Sequence, residues 1–103
     1  IAHIETVLNR RSDVLFGVVF GSFLDGEAFR DIDVGIWTTV SPGPRVDVEL
    51  AAALSETLGV PVDVRRINDA PTPFLFHVLL GAGGRPVAVR DETRLADLME
   101  RTA

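Results

Sequence analysis

Apolar and polar positions follow two periods along this chain, and the switches between them mark the elements. Residues 1–11, "IAHIETVLNRR", place Ile1, Ile4, Val7 and Leu8 on one stripe, the spacing of an amphipathic helix. Residues 13–20, "DVLFGVVF", are β-branched and aromatic, apolar on both faces and too short for a globular helix. They predict a central strand covered on both sides. "DIDVGIW" (31–37) alternates, with Ile32, Val34 and Ile36 on one face and Asp31, Asp33, Gly35 and Trp37 on the other. "SPGPR" (41–45) predicts a turn, and "VDVELAAALSETLG" a helix aligned on Val46, Leu50, Ala53, Leu54 and Leu58 that stops at Gly59. "VPVDVRRI" (60–67) alternates again, Val62 and Val64 against Asp63 and Arg65. "TPFLFHVLLG" (72–81) is a nearly all-apolar helix with Thr72 expected as N-cap and Pro73 as its first helical residue. "RPVAVR" (85–90) is a short strand, and Pro86 at its start favours a sheet edge. "DETRLADLMERTA" closes as a helix capped by Asp91, with Leu95, Leu98 and Met99 facing inward. Strands alternating with helices predict an α/β sandwich on one sheet.

Length and composition narrow the class. A chain of 103 residues holds one modest core, so one domain spanning 1–103 is expected. Its 47% hydrophobic and 24% charged residues are ordinary globular composition. A formal net charge of −5 argues against a surface that coats nucleic acid, because phosphate backbones reward basic faces. A nucleotide substrate remains compatible with it, since bound metal ions reverse the local sign. The absence of cysteine removes disulfides, thiolate metal sites and cysteine nucleophiles. The two histidines, His3 and His77, are too far apart in sequence to suggest a zinc site. His77, inside an apolar helix, reads as a core or interface residue rather than a base. No apolar run has the length of a membrane span and no signal peptide is visible, so a cytoplasmic domain is expected.

The candidate chemistry lies in "GSFLDGEAFRDID", which follows the first apolar strand. Asp31 and Asp33 are two apart on a strand, so both carboxylates project from one face. If the strand around Asp63 lies beside this one, a third carboxylate joins them on that face. Three clustered acids repel one another unless a cation sits among them. Oxygen-only ligation of this kind suits Mg²⁺ or Mn²⁺, which take carboxylates together with substrate phosphate oxygens. Gly21 lets backbone approach a phosphate closely, and a helix starting near Ser22 aims N–H groups and a hydroxyl at an anion. Phosphate cradle plus metal-binding acids is the equipment of phosphoryl or nucleotidyl transfer. Each feature alone has a plainer reading. Gly21-Ser22 makes a strand-to-helix turn, Asp31 and Asp33 make the polar face of a solvated strand, and Asp63 faces solvent or pairs with Arg65 or Arg66. In order and on these elements, they favour the functional reading.

Gly21-Ser22, eight intervening residues, Asp31-Ile32-Asp33 and a later Asp63 resemble the minimal nucleotidyltransferases of the DNA polymerase β superfamily. The resemblance covers nearly the whole chain. It implies a polymerase-β-like fold, α/β (α+β), with one mixed sheet of about four strands packed with helices. It assigns the triphosphate to Gly21 and Ser22, metal ligation to Asp31 and Asp33, and metal ligation with activation of the incoming hydroxyl to Asp63. Many members carry an arginine three residues after the serine, where this chain has Asp25; a serine usually precedes the acid pair, where this chain has Arg30. Arg30 is therefore a candidate to supply the missing positive charge to the nucleotide.

Short members of this kind often serve as antitoxins of HEPN ribonuclease toxins, some by transferring AMP from ATP onto the toxin. The implied function is Mg²⁺- or Mn²⁺-dependent transfer from ATP, or another nucleoside triphosphate, to a hydroxyl of a HEPN-family partner. The alternative is a domain that keeps the fold and neutralises its partner by occlusion. A third reading, modification of a small molecule such as an aminoglycoside, would normally need a further substrate domain. Trp37 shares the acid face, with a packing role or stacking on a base both open. The apolar surface around Phe74 and Phe76 suggests contact with a partner or a second copy. No membrane association and no stable nucleic-acid binding are expected.

Overall fold

The computed structural model describes residues 2–20, 32–76 and 84–102. Its elements run α1 (Ala2–Asn9), β1 (Val14–Phe20), β2 (Ile32–Thr38), α2 (Val46–Leu58), β3 (Val62–Arg66), α3 (Thr72–Phe76), β4 (Arg85–Val87) and α4 (Glu92–Thr102). The four strands form one mixed sheet in the order β3-β2-β1-β4. β1 pairs antiparallel with both β2 and β4, while β2 and β3 run parallel. The parallel pair requires a crossover, and α2 supplies it.

Two apolar clusters, one on each side of the sheet, make this a three-layer molecule. On one side Ile4, Val7 and Leu8 of α1 and Val46, Leu50 and Leu54 of α2 cover Val19, Ile32, Val34, Ile36, Val62 and Val64. On the other, Leu75 of α3 and Leu95 and Leu98 of α4 cover Phe16 and Val18. A strand apolar on both faces has to sit in the middle of such a sheet, and β1 does. A bulge between Val14 and Phe16 inserts Leu15, so Leu15 and Phe16 both belong to the α3–α4 side. Gly17 lets α1 lie close: a Cβ there would come within 2.6 Å of Leu8 Cδ1 and 3.3 Å of Val87 Cγ2.

Element ends follow local chemistry, with three departures from expectation. Gly59 closes α2 in the left-handed region (φ 72°), its N–H donating to the Ser55 carbonyl at 2.9 Å. Asp91 caps α4, its Oδ1 accepting from the Arg94 N–H at 2.9 Å. α3 begins at Thr72 rather than after it, because the Pro71 carbonyl already accepts from the Leu75 N–H at 3.0 Å. β4 ends at Val87, three residues short of the expected strand, because Ala88 turns to φ 51°. β3 is likewise shorter than 60–67, though the Pro61 carbonyl still accepts from the Ile32 N–H at 3.1 Å. β4 is an edge strand, as Pro86 requires.

Candidate functional site

The α3–α4 face of the sheet carries the acids. Asp33 lies opposite Phe20 of β1 and beside Asp63 of β3 in the parallel register. Alternation then puts Asp33, Gly35 and Trp37 on the same face as Asp63 and Arg65. Neighbouring strands lie about 4.8 Å apart, so Asp33 and Asp63 are adjacent carboxylates at the starts of β2 and β3, near the end of β1. Asp33 is half-buried and Asp63 exposed. Gly21, Ser22, Asp25, Arg30 and Asp31 lie outside the described residues, and so does His77. Of the three proposed metal ligands, then, Asp33 and Asp63 come together. Among the described residues no group of three His, Cys, Asp or Glu side chains is placed to hold a metal.

What holds Asp63 in place is local. The Ser55 hydroxyl of α2 accepts from the Val62 N–H at 3.0 Å, tying the start of β3 to the crossover helix. Val62 and Val64 point into the α1–α2 core, which turns Asp63 and Arg65 to the opposite face. Neither neighbouring arginine pairs with Asp63 among the described contacts. Arg65 lies over the Phe74 ring, its Cζ 5.1 Å from the centroid. Arg66 donates from Nε to Thr38 Oγ1 at 2.7 Å and reaches Asp69 at 3.4 Å. Phe74 meets Phe20 edge-on at 6.3 Å, and Trp37 stacks on Phe16 at 6.0 Å with 12° between the rings. Packing is thus the observed role of Trp37.

Two polar groupings escaped the sequence analysis. Asn68 clasps the backbone of Thr38, accepting its N–H at 2.9 Å and donating to its carbonyl at 2.8 Å. That extends the β2–β3 pairing past the last strand residue and satisfies Thr38, which is 1% exposed. Asp13 takes a two-pronged bond from Arg11, at 3.1 and 2.8 Å, and accepts the Gly43 N–H at 2.9 Å. The Arg11 bonds hold the Asp13 carboxyl down at about 2, with the Gly43 N–H adding to them against the cost of burial. The same bonds raise the pKa of Arg11. Both groupings join residues about 30 apart, which no local pattern displays. The placing of Arg65 on the acid face was legible, because it follows Asp63 by two.

A mixed four-stranded sheet between two helical layers, with adjacent acids at the starts of the central strand β2 and the edge strand β3, defines an α/β protein with a polar site on one sheet face. The chain belongs to the polymerase beta nucleotidyltransferase family, whose model matches residues 2–93. No curated protein matches it. Its fold is shared with solved toxin–antitoxin structures. An MntA–HpeT variant with two aspartates, two residues apart, changed to glutamate superposes with a TM-score of 0.80 at 18% identity, over 98% of this chain and 81% of that one. A toxin–antitoxin bound to AMP-PNP gives 0.79 at 21%, over 98% and 82%. A tri-AMPylated Shewanella oneidensis HEPN toxin in complex with its MNT antitoxin gives 0.75 at 20%, over 98% and 78%. None of the helices among the described residues is long and apolar enough to cross a membrane.

Proposed function

We propose that the chain is a Mg²⁺-dependent nucleotidyltransferase that moves AMP from ATP to a hydroxyl of a HEPN-type toxin and so acts as its antitoxin. The observation that carries this reading is the in-register pair Asp33 and Asp63 in a member of a nucleotidyltransferase family. The related folds support the partner and the donor, since those proteins are toxin–antitoxin complexes, one with AMP-PNP and one with an AMPylated HEPN toxin. The doubly substituted relative, altered at two aspartates two residues apart, matches the spacing of Asp31 and Asp33.

The donor set fits the ion. Adjacent carboxylates, one exposed and one half-buried, offer oxygen ligands and leave room for water and phosphate, as Mg²⁺ and Mn²⁺ prefer. Asp31, Asp33 and Asp63 would hold it; when bound it neutralises charge on the transferring phosphoryl group. Gly21 and Ser22 would bind the triphosphate through backbone N–H groups and the hydroxyl, and Arg30 would add positive charge for it. Asp63 accepts the proton of the acceptor hydroxyl as its oxygen bonds to the α-phosphorus. The bond to the bridging oxygen breaks and pyrophosphate leaves.

Radiolabelled ATP and a co-purified partner test this. The wild type should label the partner, and Asp63→Asn should stop labelling while the complex still forms. Silencing of the toxin at equimolar ratio without any label would replace transfer by occlusion.

A further inference from the structure

The ten Lys/Arg positions of this chain are all arginines, so a permanently charged side chain that meets a substrate phosphate is a guanidinium. Several described arginines are committed elsewhere. Arg11 is held by Asp13 and Glu49, Arg66 by Thr38 and Asp69, and Arg90 donates to the Asn9 carbonyl. Arg85 pairs with Val19, whose side chain belongs to the α1–α2 core, so it lies on the far face of the sheet. Among the described strand residues Arg65 is the basic residue on the acid face. It sits beside Gly35 in the register, two residues along from Asp33 and Asp63, or about 6.6 Å.

Its contact is informative. Asp63 is on the same strand and face, yet the guanidinium lies over the Phe74 ring instead. A guanidinium stacked on an aromatic keeps its in-plane N–H groups available for a second, anionic partner. Phe74 is itself braced edge-on by Phe20, which adjoins Asp33 in the register, so the ring fixes the cation relative to the acids.

We propose that Arg65 is a phosphate-binding residue of this site: held against Phe74, it donates N–H bonds to phosphate oxygens of a nucleoside triphosphate lying on the Asp33–Asp63 face. The inference rests on the nucleotidyltransferase reading. It predicts effects of opposite sign on two ligands. Removing the cation weakens binding of a polyanion, and also relieves the repulsion that a nearby positive charge exerts on a metal ion at the carboxylates.

Calorimetry with a non-hydrolysable ATP analogue and Mg²⁺, and thermal shift with Mn²⁺ alone, should compare wild type, Arg65→Ala and Arg65→Lys. Arg65→Ala should lose roughly ten- to a hundredfold in affinity for the analogue, the size of a lost charge-assisted bond. Arg65→Lys should recover only part of it, since it keeps the charge and loses the fork. The Mn²⁺ response of Arg65→Ala should be equal to or larger than that of the wild type. Unchanged analogue affinity in Arg65→Ala overturns the proposal, as does joint loss of analogue and Mn²⁺ binding, which marks a merely structural role. A wild type that binds neither ligand overturns the nucleotidyltransferase reading itself, and this proposal with it.

Discussion

A single carboxylate shows how much one residue's surroundings decide. Asp13, bonded to Arg11 and to the Gly43 N–H, titrates near 2 in the fold against 3.8 ordinarily. Its contribution is therefore complete above pH 3.8 and disappears as the pH falls through about 2. We expect Asp13→Asn to lower stability at pH 7 by about 1–2 kcal/mol, with the gap to wild type closing below pH 2. Urea melts at a series of pH values would read this; a gap that persists at pH 1.5 contradicts it. Asp63, in contrast, is exposed and belongs to the proposed metal site. Mn²⁺ at ten times its Kd should stabilise the wild type by about 1.4 kcal/mol through mass action, a rise of several degrees in Tm. Asp63→Asn should fold as well as the wild type and lose most of that rise. Arg45 carries a different kind of strain: it sits at the N-cap of α2 with φ 60° and no side-chain cap bond. Arg45→Gly should raise stability by up to about 1 kcal/mol, because only glycine adopts that conformation without penalty.

At the scale of elements, the closeness of α1 to the sheet depends on Gly17. Leu8 is fully buried, so a Cβ at 2.6 Å from its Cδ1 forces a rotamer change inside a filled layer. Gly17→Val should cost about 1–3 kcal/mol, read as a lower denaturation midpoint with an unchanged m-value. α2 both crosses between the parallel strands and, through Ser55, fixes the first residue before Asp63. The pattern of apolar positions located α2, its Gly59 stop and the Asp91 cap of α4, because caps and periodicity are local. It misplaced the start of α3 and the end of β4. There the deciding facts are a proline carbonyl that already joins the helix and an alanine held at positive φ.

Across the whole molecule, the two helical layers divide the labour. α1 and α2 bury one face and stabilise the sheet, while the α3–α4 side adjoins the face that bears Asp33, Asp63 and Arg65. The proposed division has a consequence for association. If transfer is the mechanism, small amounts of wild-type domain should silence excess partner in the presence of ATP, whereas occlusion requires one domain per partner. A titration of ribonuclease activity against the domain, with ATP and with the non-hydrolysable analogue, separates the two by whether the end point moves.

The sequence alone determined the order of elements, the two-sided burial of β1 and the shared face of Asp33, Gly35 and Trp37. These follow from periods of 2 and 3.6, which are properties of neighbouring residues. It also offered the acid motif through Gly21, Ser22, Asp31, Asp33 and Asp63, of which Asp33 and Asp63 lie within the described residues. The tertiary structure decided which strands are neighbours. Only the parallel pairing of β2 with β3 sets Asp33 beside Asp63, and a slip of one residue would have sent Asp63 to the opposite face. It likewise decided that Arg65 rests on Phe74 rather than on Asp63, and that Asn68 and Gly43 reach partners 30 residues away. Such contacts are chosen by the packing of whole layers, and no short stretch of chain contains that information.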